Sequence, residues 1–176
     1  EPSATAWLLD RPEALAGLFY PRPDFAEDTP VNAHELSIPV AEGVVVGARC
    51  HLADSETTNI LFFHGNGEIV RDYDDIGALY VERGINFIAV DYFHYYCSLL
   101  ARLLDYVAVD YRGYGRSTGR PTASTMLADS HVVLDVVADW LGQQGYTGPL
   151  LVMGRSLGSA SALELACRHS ERIAGL

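Results

Sequence analysis

Basic residues are scarce in this 176-residue chain, which carries 12 Lys and Arg against 23 Asp and Glu and a net charge of −11. That balance opposes binding to nucleic acid or to an anionic membrane surface, both of which need a basic face. Cysteine is scarce too: Cys50, Cys97 and Cys167 form no Cys-x-x-Cys pair and make an odd number. Neither a disulfide framework nor a zinc site is indicated, and the three read as small buried hydrophobes of a reducing compartment. Long apolar runs are missing. Nothing approaches the ~20 residues of a membrane span, and no basic segment leading into an apolar one opens the chain. Gly-x-Gly-x-x-Gly and a Walker-type lysine are also absent, which removes the usual nucleotide sites. The expectation is a soluble, cytoplasmic protein. An upstream signal or anchor stays open, because residue 1 is glutamate and not methionine.

What is present is the apolar material for one core: 49% of residues are hydrophobic and 20% charged. Residues 1–32 hold scattered prolines (Pro2, Pro12, Pro21, Pro23, Pro30) and read as an irregular lead-in with no chemistry of its own; the folded domain runs from 33 to 176. Two β-rich runs between Glu35 and Leu52 flank Glu42-Gly43 and predict an antiparallel hairpin. Ile60-Leu61-Phe62-Phe63 predicts a buried parallel strand ending in the loop His64-Gly65-Asn66-Gly67. Ile69, Tyr73, Ile76 and Tyr80 recur at helical spacing up to a capping glycine at Gly84, and Phe87 to Val90 follows as a strand. Thr122 caps a second helix that presents Leu127, Leu134, Val137 and Leu141 and ends at Gly142 and Gly145. Leu150 to Met153 is a further strand, and Ser159 to Cys167 a closely packed helix. Alternation of strand and helix predicts an α/β fold with a mostly parallel sheet covered on both faces.

One repeat interrupts this pattern. Ile88-Ala89-Val90-Asp91-Tyr92 recurs 19 residues later as Val107-Ala108-Val109-Asp110-Tyr111. Removing residues 93–111 would join Asp91-Tyr92 directly to Arg112-Gly113-Tyr114-Gly115 as one strand and one loop. A duplication without function, a genuine extra strand and an insertion covering the substrate all fit.

Chemistry concentrates at two loops. Gly154-Arg155-Ser156-Leu157-Gly158 stands directly after a short apolar strand and directly before a helix, the context in which Gly-x-Ser-x-Gly forms a sharp turn that thrusts its serine outward. Gly154 and Gly158 relieve the clashes of that turn, and the helix start favours developing negative charge. Acyl transfer also needs donors for the oxyanion. The glycines of His64-Gly65-Asn66-Gly67 permit close approach of backbone N–H groups to a substrate oxygen, to be joined by the N–H of Leu157.

Taken together, Phe62-Phe63-His64-Gly65-Asn66-Gly67-Glu68, Asp110-Tyr111-Arg112-Gly113-Tyr114-Gly115-Arg116-Ser117 and Gly154-Arg155-Ser156-Leu157-Gly158 resemble three successive landmarks of the α/β-hydrolase superfamily. The likeness runs from about Glu35 to the C-terminus apart from the insert, and is greatest to the serine aminopeptidase-like, acylglycerol lipase-like and thioesterase-like branch. It implies a three-layer α/β sandwich with its C-terminal part missing. It implies Ser156 as nucleophile and the backbone N–H groups of Asn66 and Leu157 as oxyanion hole; His64, which precedes the serine in the chain, reads as a loop-ordering residue beside that hole. The Asp-Tyr-Arg-Gly-Tyr-Gly loop is a structural signature without a catalytic role. The implied activity is cleavage of ester, thioester or amide bonds in a small acyl substrate, with no cofactor, metal or nucleic acid, and membrane association is not indicated.

In one respect the chain departs from the family. The triad acid and histidine should follow the serine, yet the twenty residues after Ser156 offer only Glu164, His169 and Glu171, within or just beyond the helix that starts at the nucleophile. His34, His51, His64, His94 and His131 all precede it. A truncated and inactive serine hydrolase is the leading expectation, and a non-catalytic binding module on the same fold is the alternative.

Overall fold

The structure is a computed structural model that describes residues 6–25, 28–31, 33–81 and 104–176. Five strands form one sheet: β1 (Ala33–Ala41), β2 (Val44–His51), β3 (Thr58–Phe63), β4 (Leu104–Val109) and β5 (Leu150–Gly154), in the spatial order β1-β2-β4-β3-β5. The hairpin β1-β2 and the pair β2-β4 are antiparallel, whereas β3 runs parallel to both β4 and β5. The hairpin turn falls at Glu42-Gly43, where Gly43 takes φ +67°.

β3 is central and reads as an unbroken apolar run because both of its faces are covered. Leu61 and Phe63 enter the main core with Val107, Val109 and Val152, against helices α4 (Ala123–Gln143) and α5 (Ser159–Arg168). Ile60 and Phe62 face the other way, onto Val70 and Tyr73 of a 3-10 turn (Val70–Tyr73) that runs into helix α3 (Asp74–Val81). The helical spacing from Ile69 therefore becomes a 3-10 turn followed by two α-helical turns. In α4, Met126, Ser130, Val133, Leu134, Val137 and Leu141 are buried on one face, and Leu127 packs against the core beside them. Thr122 caps its first turn by accepting the Thr125 N–H through Oγ1 at 3.1 Å.

The second copy of the 19-residue repeat is β4, hydrogen-bonded to β2 on one side and β3 on the other. Residues 93–103 of the insert, the first copy, Gly84 and His94 lie outside the described residues. Beyond β5, Leu151 and Gly175 form a parallel bridge, and Ala174 N–H donates to Leu150 O at 2.7 Å. The chain is thus back alongside the sheet at residues 174 and 175.

The lead-in is more ordered than its prolines suggest. Helices α1 (Ala6–Leu9) and α2 (Pro12–Leu18) form there, with Pro12 in the first turn of α2, where its missing N–H is not needed. Phe19 is buried in the main core. Among the described residues, no helix is long and apolar enough to cross a membrane.

Candidate active site

Three adjacent parallel strands, β4, β3 and β5, present their carboxyl ends at one edge of the sheet, where open α/β sheets bind ligands. The loops that leave those ends are the three motifs singled out in the sequence.

After β5 the chain turns through a 3-10 segment at Ser156–Gly158 into α5. Ser156 has φ +50°, the one positive φ at a non-glycine position among the described residues, and its side chain is exposed. A β-carbon in this region carries strain of about 1–3 kcal/mol, held in place by the surroundings. Here the surroundings are tight. A Cβ on Gly154 would stand 2.3 Å from Gly158 O, and one on Gly158 would stand 2.0 Å from Phe63 O. Arg155 N–H donates to that same Phe63 oxygen at 3.0 Å, so the elbow is seated directly on the end of β3. Ser159 Oγ donates to Gly154 O at 3.1 Å across the turn.

The loop after β3 is a tight turn in which Glu68 N–H donates to Gly65 O at 3.3 Å and Gly67 takes φ +76°, a region open chiefly to glycine. His64 is fully buried, with Nδ1 2.8 Å from Gly65 O and Nε2 3.3 Å from Asp110 Oδ1, off line for a hydrogen bond. Its carbonyl accepts the Tyr111 hydroxyl at 2.8 Å. Asn66 Oδ1 accepts the Tyr114 hydroxyl at 2.6 Å and the Tyr20 N–H at 2.7 Å. Burial pushes the Tyr111 phenol well above its ordinary range. It raises the Tyr114 phenol too, outweighing the N–H donors of Tyr20 and Gly67 that pull the other way. Both hydroxyls are therefore protonated donors.

The loop after β4 supplies those tyrosines. It is pinned by Arg112, which makes two bonds of 2.6 and 2.7 Å to Asp129 of α4, and by Asp110, which is buried and accepts the Val70 N–H at 2.9 Å. The lead-in adds a strap: Gly115 N–H donates to Arg22 O and Asp24 N–H to Gly115 O, each at 2.9 Å. Sequence reasoning gave the lead-in no part in the site, since backbone donors such as that of Tyr20 leave no trace in residue type.

The structure thus brings His64, Gly65, Asn66 and Gly67 beside Gly154, Ser156, Leu157 and Gly158, and joins the two loops through Glu68 and Arg155, whose side chains form an ion pair. Sequence reasoning assigned neither of these two a role; opposite charges flanking two motifs were the available signal. His169 and Glu164 sit elsewhere. His169 follows the last turn of α5, about 15 Å of helix from its start, and its Nε2 lies 2.7 Å from His131 Nδ1 of α4. Glu164 Oε1 lies 3.5 Å from His131 Nε2. A cavity of about 280 Å³ borders the elbow, lined by Met153, Gly154, Ser159, Ala162, Leu163 and Leu176.

Known proteins share this fold. The family model described as alpha/beta hydrolase fold matches residues 58–176. The lysophosphatidylserine lipase ABHD12 of Xenopus tropicalis is 36% identical over 66 residues, which are 38% of this chain and 16% of that protein. Protein bem46 of Schizosaccharomyces pombe is 32% identical over 68 residues, 39% of this chain and 22% of that protein. Among solved structures, the Pyrococcus furiosus esterase Pf2001 superposes with a TM-score of 0.56 at 17% identity, covering 88% of this chain and 55% of that one. A predicted CIB-like hydrolase from Thermoplasma acidophilum gives 0.51 at 22% identity, covering 80% and 59%. The chain therefore spans less than two thirds of the length of the relatives it matches. With the family match over residues 58–176, more than half of its length, the chain belongs to the alpha/beta-hydrolase-fold family.

Proposed function

We propose that the protein is a serine hydrolase that cleaves ester, thioester or amide bonds in a small acyl substrate through an acyl-enzyme at Ser156. The observation that carries this reading is the exposed, left-handed Ser156 at the carboxyl end of β5, seated against the end of β3 and beside the Asn66 loop. Ser156 Oγ attacks the acyl carbon, and the backbone N–H groups of Asn66 and Leu157 receive the charge that develops on the carbonyl oxygen. Preorganised donors of this kind are commonly worth ~10²–10³ in rate each. Collapse of the tetrahedral adduct expels the alcohol, thiol or amine, and water then releases the acid. A relative named as a lipase and a fold neighbour named as an esterase favour the ester bond among the three.

The serine needs a base. His64 is buried and held between Gly65 O and Asp110, while His131 and His169 face each other on α4 and beyond α5. His51 lies against Asp74 and His34 beside Trp140, so each described histidine is engaged elsewhere, and this reading takes the base and its acidic partner from outside the described residues. The test uses the protein at its natural length and a series of p-nitrophenyl esters and thioesters. Ser156→Ala should lower turnover by roughly 10⁴–10⁶-fold, the scale set by loss of a serine nucleophile. Turnover that survives the substitution would overturn Ser156 as the nucleophile, and absence of turnover in the unsubstituted protein would leave a non-catalytic binding module on this fold.

A further inference from the structure

The two donors assigned to the oxyanion belong to loops 87 positions apart in the sequence, if counted from Glu68 to Arg155. Their separation must be held to a fraction of an ångström, because misplacement by about 1 Å can cost ~10²-fold in rate. Something has to fix one loop against the other.

We propose that Glu68 is the positioning residue for this spacing, acting through Arg155; the proposal rests on the assignment of Ser156, Asn66 and Leu157 above. The two carboxylate oxygens divide the task. Glu68 Oε2 accepts the Gly65 N–H at 2.6 Å and the Tyr73 hydroxyl at 2.7 Å, which ties the side chain to its own loop and to the 3-10 turn below it. Oε1 meets the guanidinium of Arg155, the residue immediately before Ser156. Arg155 is anchored in turn by its backbone N–H on Phe63 O at 3.0 Å. The path from the Asn66 loop to the elbow therefore runs through one carboxylate and one guanidinium, with charge-assisted bonds at both ends.

Burial makes the pair more than a surface contact. The side chains are 20% and 15% exposed, and a Cβ on Gly65 would lie 2.8 Å from Glu68 Oε2 and 3.1 Å from Arg155 Nη1. The pair is thus packed onto the loop backbone, where solvent screens it little. Each partner also cancels a charge that would disturb the site: Glu68 alone would oppose an oxyanion nearby, and Arg155 alone would be drawn toward it.

A double-substitution cycle tests this in the natural-length protein. Glu68→Gln keeps an oxygen for Gly65 N–H and Tyr73 but loses the attraction for Arg155; Arg155→Gln removes the other half. Each single substitution should lower kcat on a p-nitrophenyl ester about 10-fold or more with KM within about two-fold. The double variant should be no slower than the slower single, the mark of coupled residues. Arg155→Lys, which keeps charge but not the planar fork, should fall between and serves where a neutral variant does not fold. Additive losses, or lower thermal stability with kcat unchanged, would overturn the positioning role alone. Absence of fluorophosphonate labelling at Ser156 in the unsubstituted protein would overturn the nucleophile assignment itself, and the positioning role with it.

Discussion

Gly158 illustrates how little freedom a single position can have. Its Cα lies so close to β3 that an added methyl would stand 2.0 Å from Phe63 O and 2.7 Å from His64 O, both backbone atoms that cannot move aside alone. Gly158→Ala should therefore destabilise the fold by at least the ~1–3 kcal/mol typical of overpacking, seen as a lower urea midpoint with unchanged slope. An unchanged midpoint would mean that the elbow is not seated on β3 as described. Ser156 and its flanking glycines were legible in the sequence because the strained turn restricts residue type at 154, 156 and 158 together. Glu68 and Arg155 were not, since any of the twelve basic residues is a formal partner for any acidic one until the fold chooses. Tyr20 was hidden for another reason: it reaches Asn66 Oδ1 through its backbone N–H, which every non-proline residue possesses.

At the level of elements, the legible ones were those whose burial pattern is one-sided or total. β3 is buried from Asn59 to Phe63, and α4 shows its apolar face at three- and four-residue spacing. Thr122 starts α4 with a reciprocal arrangement, its Oγ1 accepting the Thr125 N–H while Thr125 Oγ1 accepts the Thr122 N–H at 3.0 Å. Thr122→Ala should cost about 1 kcal/mol in chemical denaturation, and Thr122→Ser should recover most of it. An equal loss in both would shift the role from capping to packing. The lead-in helices were illegible because a proline-rich stretch reads as a breaker. Pro12 instead occupies a helix start, and Phe19 gains burial only once the sheet exists. The repeat had the opposite problem: two copies satisfied the strand pattern equally, and only pairing with β2 and β3 gives the second its place as β4.

For the molecule as a whole, the acidic composition leaves its mark where carboxylates surround a buried cation. Arg49 is 1% exposed and paired with both Glu35 and Asp74. Burial would raise both carboxyls. In Asp74 the hydrogen bonds of His51 and Arg49 outweigh it, and in Glu35 those of Arg49 and Thr29 together with the charges of Arg116 and Arg49 do so, holding each below its ordinary 3.8 or 4.5. A carboxyl whose folded pKa is depressed contributes stability that is present above the unfolded pKa and is lost as pH falls through it toward the folded value. Unfolding midpoints in urea should therefore drop on acidification below about pH 4.5, and the drop should be shallower in Arg49→Met, where that source of depression is gone. A parallel acid limb in both proteins would place the acid sensitivity elsewhere.

The central claim is that Ser156 is the nucleophile, and intact and peptide mass spectrometry after treatment with a fluorophosphonate probe tests it most directly. The protein at its natural length should gain one adduct, located on the peptide containing Ser156, and Ser156→Ala should gain none while keeping its fold. No adduct on the unsubstituted protein, or one that persists in Ser156→Ala, would contradict the account.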